Sequence, residues 1–280
     1  MAVKFTPGGR KRGLAAVSLS FGLLLASWYL VHGDSAASAR WTAPTGEVIS
    51  GGKLVIDAGN AADGYFLASV PGGCGNKLKL RVTKDDSSMT YELNQDGVEE
   101  VFPLQLGSGD YEISLYENIA EKKFSQEGTV SLSVALSSED AAFYVPNQYV
   151  NYNQASPVVA ESDQVGGALA GKAAYDAIQG HVTTGYTYDY IKSVTTEPGG
   201  RPDIEGCVAN HTGISQDLSA TMVAMLRCQG IPAKLVVGYA DDIYHAWTVA
   251  YVDGQELFFD PSLALDAIGM PKQYTAERCY

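Results

Sequence analysis

Apolar residues fall at every second position through much of residues 46–138 and at helical spacing beyond residue 162, so the chain reads as two differently built halves. In the first half, Leu54-Val55-Ile56, Tyr65-Phe66-Leu67, the alternating Leu78, Leu80 and Val82, and Tyr91 with Leu93 mark half-buried strands. Phe102, Leu104 and Leu106 continue the pattern, followed by Tyr111, Ile113 and Leu115, and by Val130, Leu132, Val134 and Leu136. Gly51-Gly52, Asp63-Gly64, Pro71 to Gly75, Asp85 to Ser88, Asp96-Gly97 and Gly107 to Asp110 separate them as turns. About seven such strands predict a β-sandwich over residues 40–143. No nucleophile–base pairing stands out there, so this half reads as a structural or spacer module.

Residues 144–161 are rich in Tyr, Asn and Pro and read as a linker whose Tyr144, Tyr149 and Tyr152 pack on a neighbour. From Ser162, Val165, Leu169, Ala173 and Ala177 form one helical stripe, with Gly180 as its C-terminal cap. A loop spans Glu197 to Gly206. A second helix runs from about Ser215 to Gln229, because Leu218, Met222, Met225 and Leu226 share a face and Gly230 and Pro232 stop it. Lys234 to Tyr239 and His245 to Val252 are strands, and Asp253-Gly254 turns the chain into a returning strand, Gln255 to Asp260. Residues 162–280 thus read as a mixed α+β core.

This pattern places three chemically useful groups. Ser215 sits at a helix N-terminus, where unpaired backbone N–H groups and the positive end of the helix dipole favour developing negative charge. His245 and Asp260 lie on opposite arms of one hairpin and come side by side, the orienting half of an acyl-transfer triad. Asp217 stabilises the helix start. His211 reads as a surface loop histidine, and Tyr188 and Trp247 as packing residues of a cleft wall.

Charge and targeting narrow the setting. The formal net charge of −13 argues against nucleic acid as a partner and disfavours docking on an anionic membrane. Lys4, Arg10, Lys11 and Arg12 precede an apolar run from Leu14 to Val31, and Ala37-Ser38-Ala39 is a small-x-small cleavage site. Residues 1–39 therefore read as a signal peptide or an uncleaved membrane anchor; both place the rest outside the cytoplasm, secreted or at the cell surface. Cys74, Cys207, Cys228 and Cys279 permit two disulfides or four free thiols. Their spacing matches no zinc site, and no nucleotide-binding glycine loop occurs, so no metal or other cofactor is expected.

Several blocks, taken in order, resemble the transglutaminase-like superfamily, with its papain-like core: Gly213-Ile214-Ser215-Gln216-Asp217, Met225-Leu226-Arg227, Gly230-Ile231-Pro232-Ala233-Lys234, Gly238-Tyr239, His245-Ala246-Trp247 and Asp260-Pro261-Ser262. Tyr188-Asp189-Tyr190 is similar to the segment before the nucleophile in bacterial members. The resemblance implies catalytic roles for Ser215, His245 and Asp260 as nucleophile, base and orienting carboxylate. The family has Cys at the first of these. A thiol beside His at a helix tip ionises readily, whereas a hydroxyl needs its proton removed during attack. Cys207, eight residues upstream, is out of register with the Leu-Arg that ends the helix and reads as an inert or paired thiol. The resemblance, so modified, implies an exported pseudoenzyme that binds peptide or cell-wall-like ligands. The alternative is a working protease, amidase or protein cross-linker using Ser215.

Overall fold

The alternation in the first half builds two antiparallel sheets. A computed structural model of the protein describes residues 42–197, 199–265 and 267–280; residues 1–39, read above as a signal peptide or anchor, lie outside the described residues. One sheet holds β1 (Val48–Gly51), β2 (Leu54–Asp57), β3 (Tyr65–Ser69) and β6 (Glu100–Pro103) in the order β1-β2-β3-β6. The other holds β4 (Leu78–Lys84), β5 (Ser87–Leu93), β7 (Gly109–Ala120) and β8 (Lys123–Val134) in the order β5-β4-β7-β8. Their inward residues share one core: Phe66 stacks on Phe102 at 5.6 Å, and Tyr91 of the facing sheet meets Phe102 edge-on at 5.4 Å. The sandwich follows the alternation, except that β6 ends at Pro103, before Leu104 and Leu106, and that β1 and the length of β8 depart from it. The strand β1 was not expected, since Val48 is exposed and its apolar signal is slight. Its hairpin with β2 crosses β8 so closely that a side chain on Gly51 or Gly128 would overlap the other strand's backbone. Strand β8 begins seven residues before the apolar run starting at Val130, because the polar ends of β7 and β8 pair beyond the core.

The second half contains α1 (Pro157–Gly166), α2 (Gly171–Gly185), β9 (Thr187–Tyr188), α3 (Tyr190–Thr195), α4 (Ile204–Asn210) and β10 (Thr212–Gly213). After these come α5 (Ser215–Cys228), β11 (Ala233–Ala240), β12 (Ile243–Val252), β13 (Gln255–Phe259), α6 (Pro261–Ala264) and β14 (Tyr274–Cys279). The single helix expected from Ser162 is two. Gly166 and Gly167 end the first, Leu169 is exposed between them, and α2 buries Ala174, Tyr175, Ile178 and Val182. The predicted stripe spans that break and is offset by one position from the buried face of α2; Gly180 lies inside α2, not at its cap. Part of the loop expected over 197–206 is the start of α4, capped by Asp203, whose carboxylate accepts from the Gly206 N–H. Cys207 is therefore on a helix, and Cys74, Cys207 and Cys279 carry free thiols.

The sheet β13-β12-β11-β14 is antiparallel throughout and packs on α5. Every residue of α5 except Gln216 is buried, so the helix is enclosed by α1, α2, α4, β11 and β12. Its small side chains let the sheet approach: Ser219 Oγ donates to the Ala246 carbonyl at 3.2 Å, and Thr248 Oγ1 donates to the Ser219 carbonyl at 3.3 Å. The linker packs as its aromatic content predicts, with Tyr152 buried and Tyr149 stacked on Tyr280 at 3.7 Å. One continuous apolar cluster runs from the sandwich into the α5 core.

Arg227, fully buried near the end of α5, joins these parts. Its guanidinium donates to the carbonyls of Val145 (2.6 Å), Ala233 (3.0 and 2.8 Å) and Tyr280 (2.9 Å). Burial pulls its pKa down to about 10, still well above neutrality, so the fork stays charged. Truncating it leaves three buried carbonyls short of a donor. Arg227→Met is expected to cost about 3 kcal/mol or more in urea denaturation, and Arg227→Lys to recover little of it, because one ammonium cannot reproduce the planar fork. A loss under about 1 kcal/mol would show the carbonyls find other partners.

Candidate active site

The tip of α5 is set from both sides by Asp217. One carboxylate oxygen accepts from the Asp203 N–H at 2.9 Å; the other accepts from the Ile214 N–H at 3.1 Å and pairs with Lys192 Nζ at 2.7 Å. Asp217 thus stabilises the helix start, as expected, and also ties in the loop before α4 and the helix α3. The parallel pair β9–β10 holds the approach to the tip. Ser215 is the first residue of α5 and is 8% exposed. The N–H groups of this first turn have no acceptor within the helix, so they are available to an oxyanion beside the hydroxyl.

Antiparallel pairing of β12 with β13 brings His245 and Asp260 together across the Asp253-Gly254 turn. His245 Nε2 lies 2.8 Å from Asp260 Oδ2, with both side chains almost wholly buried. The same oxygen accepts from the Tyr274 hydroxyl at 2.7 Å, while Oδ1 accepts from the N–H groups of Ser262 (2.9 Å) and Leu263 (3.2 Å) at the start of α6. The carboxylate is thus saturated and fixed. Burial pushes its pKa up, but the bond and charge of His245, the Tyr274 phenol and the Leu263 N–H together outweigh burial and hold it below the usual carboxylate range. Burial, and then the bond to Asp260, raise the Tyr274 phenol far above its ordinary value. An ionised Asp260 accepts a hydrogen bond from His245 Nε2–H, the tautomer that leaves Nδ1 as the ring's basic nitrogen.

Ser215 and His245 line one cleft of about 310 Å³, together with Tyr188, Tyr190, Ile214 and Tyr244. The three groups read from the sequence are therefore assembled: hydroxyl and imidazole face one cavity, and the carboxylate backs the imidazole. Among the described residues, no hydrogen bond joins Ser215 Oγ to His245. Tyr188 is a wall residue as expected, but Trp247 is not: it packs behind the pair, 5.1 Å from the Tyr274 ring and 6.3 Å from Phe258. His211 lies away from the cleft, beside Tyr186 at 4.9 Å and 3.6 Å from Glu161. Cys207 is buried beneath Gly213, and burial pushes its thiol pKa up to about 12, the opposite of what a nucleophile needs. Tyr274 and Lys192 carried no signal in the sequence; each reaches the site from an element with no spacing relation to it. A larger cavity, about 770 Å³ near Phe143, Lys234 and Tyr251, contains none of the three groups.

The depressed Asp260 pKa gives a stability term with a definite sign. That term is present above the unfolded-state value, about 3.9, and is lost as pH falls through the lower folded value. Between about pH 5 and pH 3 the urea midpoint of the parent is expected to fall more steeply than that of Asp260→Asn. Equal slopes in the two proteins would exclude this contribution.

The family profile of the transglutaminase-like superfamily core matches residues 160–261, a span that contains Ser215, His245 and Asp260. No protein of curated function matches the chain. Solved structures similar to it include a candidate cysteine protease from Cytophaga hutchinsonii, 16% identical over 71% of this chain and 78% of its own, with a TM-score of 0.38. The periplasmic domain of TgpA from Pseudomonas aeruginosa, bound to ethylmercury, is 14% identical over 81% of this chain and 79% of its own, with a TM-score of 0.35. Red sea bream transglutaminase is 12% identical over 71% of this chain and 48% of its own, with a TM-score of 0.32. Likeness at this level says nothing of activity. The profile match and the ordered motifs agree on one span: residues 160–261 are a transglutaminase-like domain.

Proposed function

We propose that this is an exported transglutaminase-like protein whose cleft binds peptide or cell-wall-like ligands and whose acyl-transfer chemistry is lost or severely impaired. The observation that carries this reading is Ser215 at the helix tip, facing a well-formed His245–Asp260 pair without a hydrogen bond to the imidazole among the described residues. A cysteine there would share its proton with His245, and the helix N-terminus would stabilise the thiolate. Serine gains little from that arrangement. Its proton must leave as the C–O bond forms, which requires an aligned Oγ–imidazole contact. The fixed carboxylate and open cleft remain useful for holding polar ligand groups. Export rests on the basic-then-apolar N-terminal pattern and the Ala39 cleavage site. The described helices include none long and apolar enough to cross a membrane.

Restoring the thiol tests the proposal. Ser215→Cys is expected to gain hydrolysis or amine transfer on peptide-amide substrates by on the order of 10²-fold or more over a parent with no detectable turnover. The proposal fails if the parent already turns these substrates over and loses that rate in Ser215→Ala and His245→Ala. The active serine enzyme would then be the correct reading.

A further inference from the structure

The Ser215 cleft continues past its own wall. Gln216, Val237 and Tyr244 line the cleft and also a narrow neck. On its other side, Tyr149, Gly200 and Arg278 open the neck into a groove of about 610 Å³ along β5. Strand β5 is an edge strand of the sandwich, so the groove runs between the sandwich and the transglutaminase-like core.

The groove's charge departs from that of the chain. In a protein of net charge −13, it is lined by Lys79, Arg201 and Arg278. Lys79 sits over the Phe124 ring at 4.8 Å. Arg201 and Arg278 are exposed, and among the described residues neither forms an ion pair with a carboxylate. Of the two acids in the groove, Glu100 is occupied: it accepts from the Asn94 N–H at 2.6 Å and from Gln148 Nε2 at 3.1 Å. Glu92 is the other. Arg278 is held in place, since its side chain hydrogen-bonds Tyr280, whose ring is stacked on Tyr149 at 3.7 Å. Two guanidinium forks without a carboxylate partner among the described residues, one of them braced by Tyr280, match the planar geometry of a carboxylate.

We propose that this groove is a subsite for an acidic side chain of an extended peptide whose reacting or recognised amide lies in the Ser215 cleft, with Arg278 and Arg201 as the specificity-determining residues. This rests on the reading of the cleft as a peptide site. The neck holds only about 20 Å³, so an extended chain crosses over it, from Gln216 at the helix tip to the arginines beside the β5 edge, whose polar Thr90, Asn94 and Gln95 suit a peptide backbone.

Binding, measured without turnover, tests it. The whole chain is titrated against fluorescein-labelled octapeptides of Gly and Ser with one central Gln. Two Glu or two Lys are placed toward one end or the other, and anisotropy is followed at low and high salt. The Glu peptide of one polarity is expected to bind about fivefold tighter than its Lys counterpart, less so at high salt. That preference should vanish or reverse in Arg201→Glu/Arg278→Glu and shrink in Arg201→Ala, a loop variant checked by its unchanged melting temperature. Equal affinities, no binding of any peptide, or a preference that survives the double reversal would overturn the proposal. A gain of activity in Ser215→Cys without charge preference sinks the groove alone. Charge preference with an inert Ser215→Cys sinks the acyl-transfer ancestry of the cleft and leaves the groove standing.

Discussion

The helix Ser215–Cys228 has no free face, and everything the protein presents at its cleft depends on that enclosure. A helix with one solvent face can slide or tilt; a helix buried all round is held by every neighbour at once. Two polar anchors set its position along its own axis. At its base Arg227 links the linker, β11 and the residue after β14 through three backbone carbonyls. At its tip Asp217 links the helix to Asp203, Ile214 and Lys192. Such buried charges are expensive to remove from water, and here each is matched by several partners, so their effect is to specify one arrangement over its neighbours.

The second hairpin is fixed in the same manner. Asp260 has four donors on two oxygens, from a strand, a helix start and the distant β14. This saturation keeps it ionised despite burial, and an ionised Asp260 selects the His245 tautomer with its base on Nδ1. The His245–Asp260 pair is thus built with full hydrogen bonding on the carboxylate, while the helix tip facing the same cleft carries a hydroxyl. A thiolate–imidazolium pair is stabilised by the helix tip and the carboxylate before any substrate arrives. A hydroxyl takes advantage of neither until the moment of attack. On the function proposed above, one atom, sulfur or oxygen, separates a site poised for chemistry from one suited to binding.

The sandwich does more than fill space before the core. Its cluster of apolar side chains is continuous with that around α5, and Gln105 Nε2 donates to the Cys279 carbonyl at 2.6 Å. The stacked Tyr149 and Tyr280 stand at the same junction. Because the linker, the edge strand β5 and the last residues of the chain meet there, the groove beside the cleft is made by parts far apart in sequence. Its basic lining comes from β4, a loop and β14, segments far apart in the sequence.

Period-two alternation and the Asp253-Gly254 turn were sufficient, read along the chain, to place the sandwich strands and the hairpin that joins His245 to Asp260, because these are local consequences of pleat and turn geometry. The helix beginning at Ser215 was equally readable, since its stripe, its glycine stop and its start lie within one short segment. What spacing could not supply is anything decided by contact between distant segments. The break at Gly166-Gly167 shifted the burial of α2 by a position, and β1 exists only because it pairs with β2 and crosses Gly128. Tyr274 reaches Asp260 through the pairing of β14 with β11, and Trp247 turns away from the cleft onto that tyrosine. Local chemistry in the sequence determined which groups could act; tertiary packing determined which of them share a pocket, because only the folded chain brings separate strands and helices within hydrogen-bond reach.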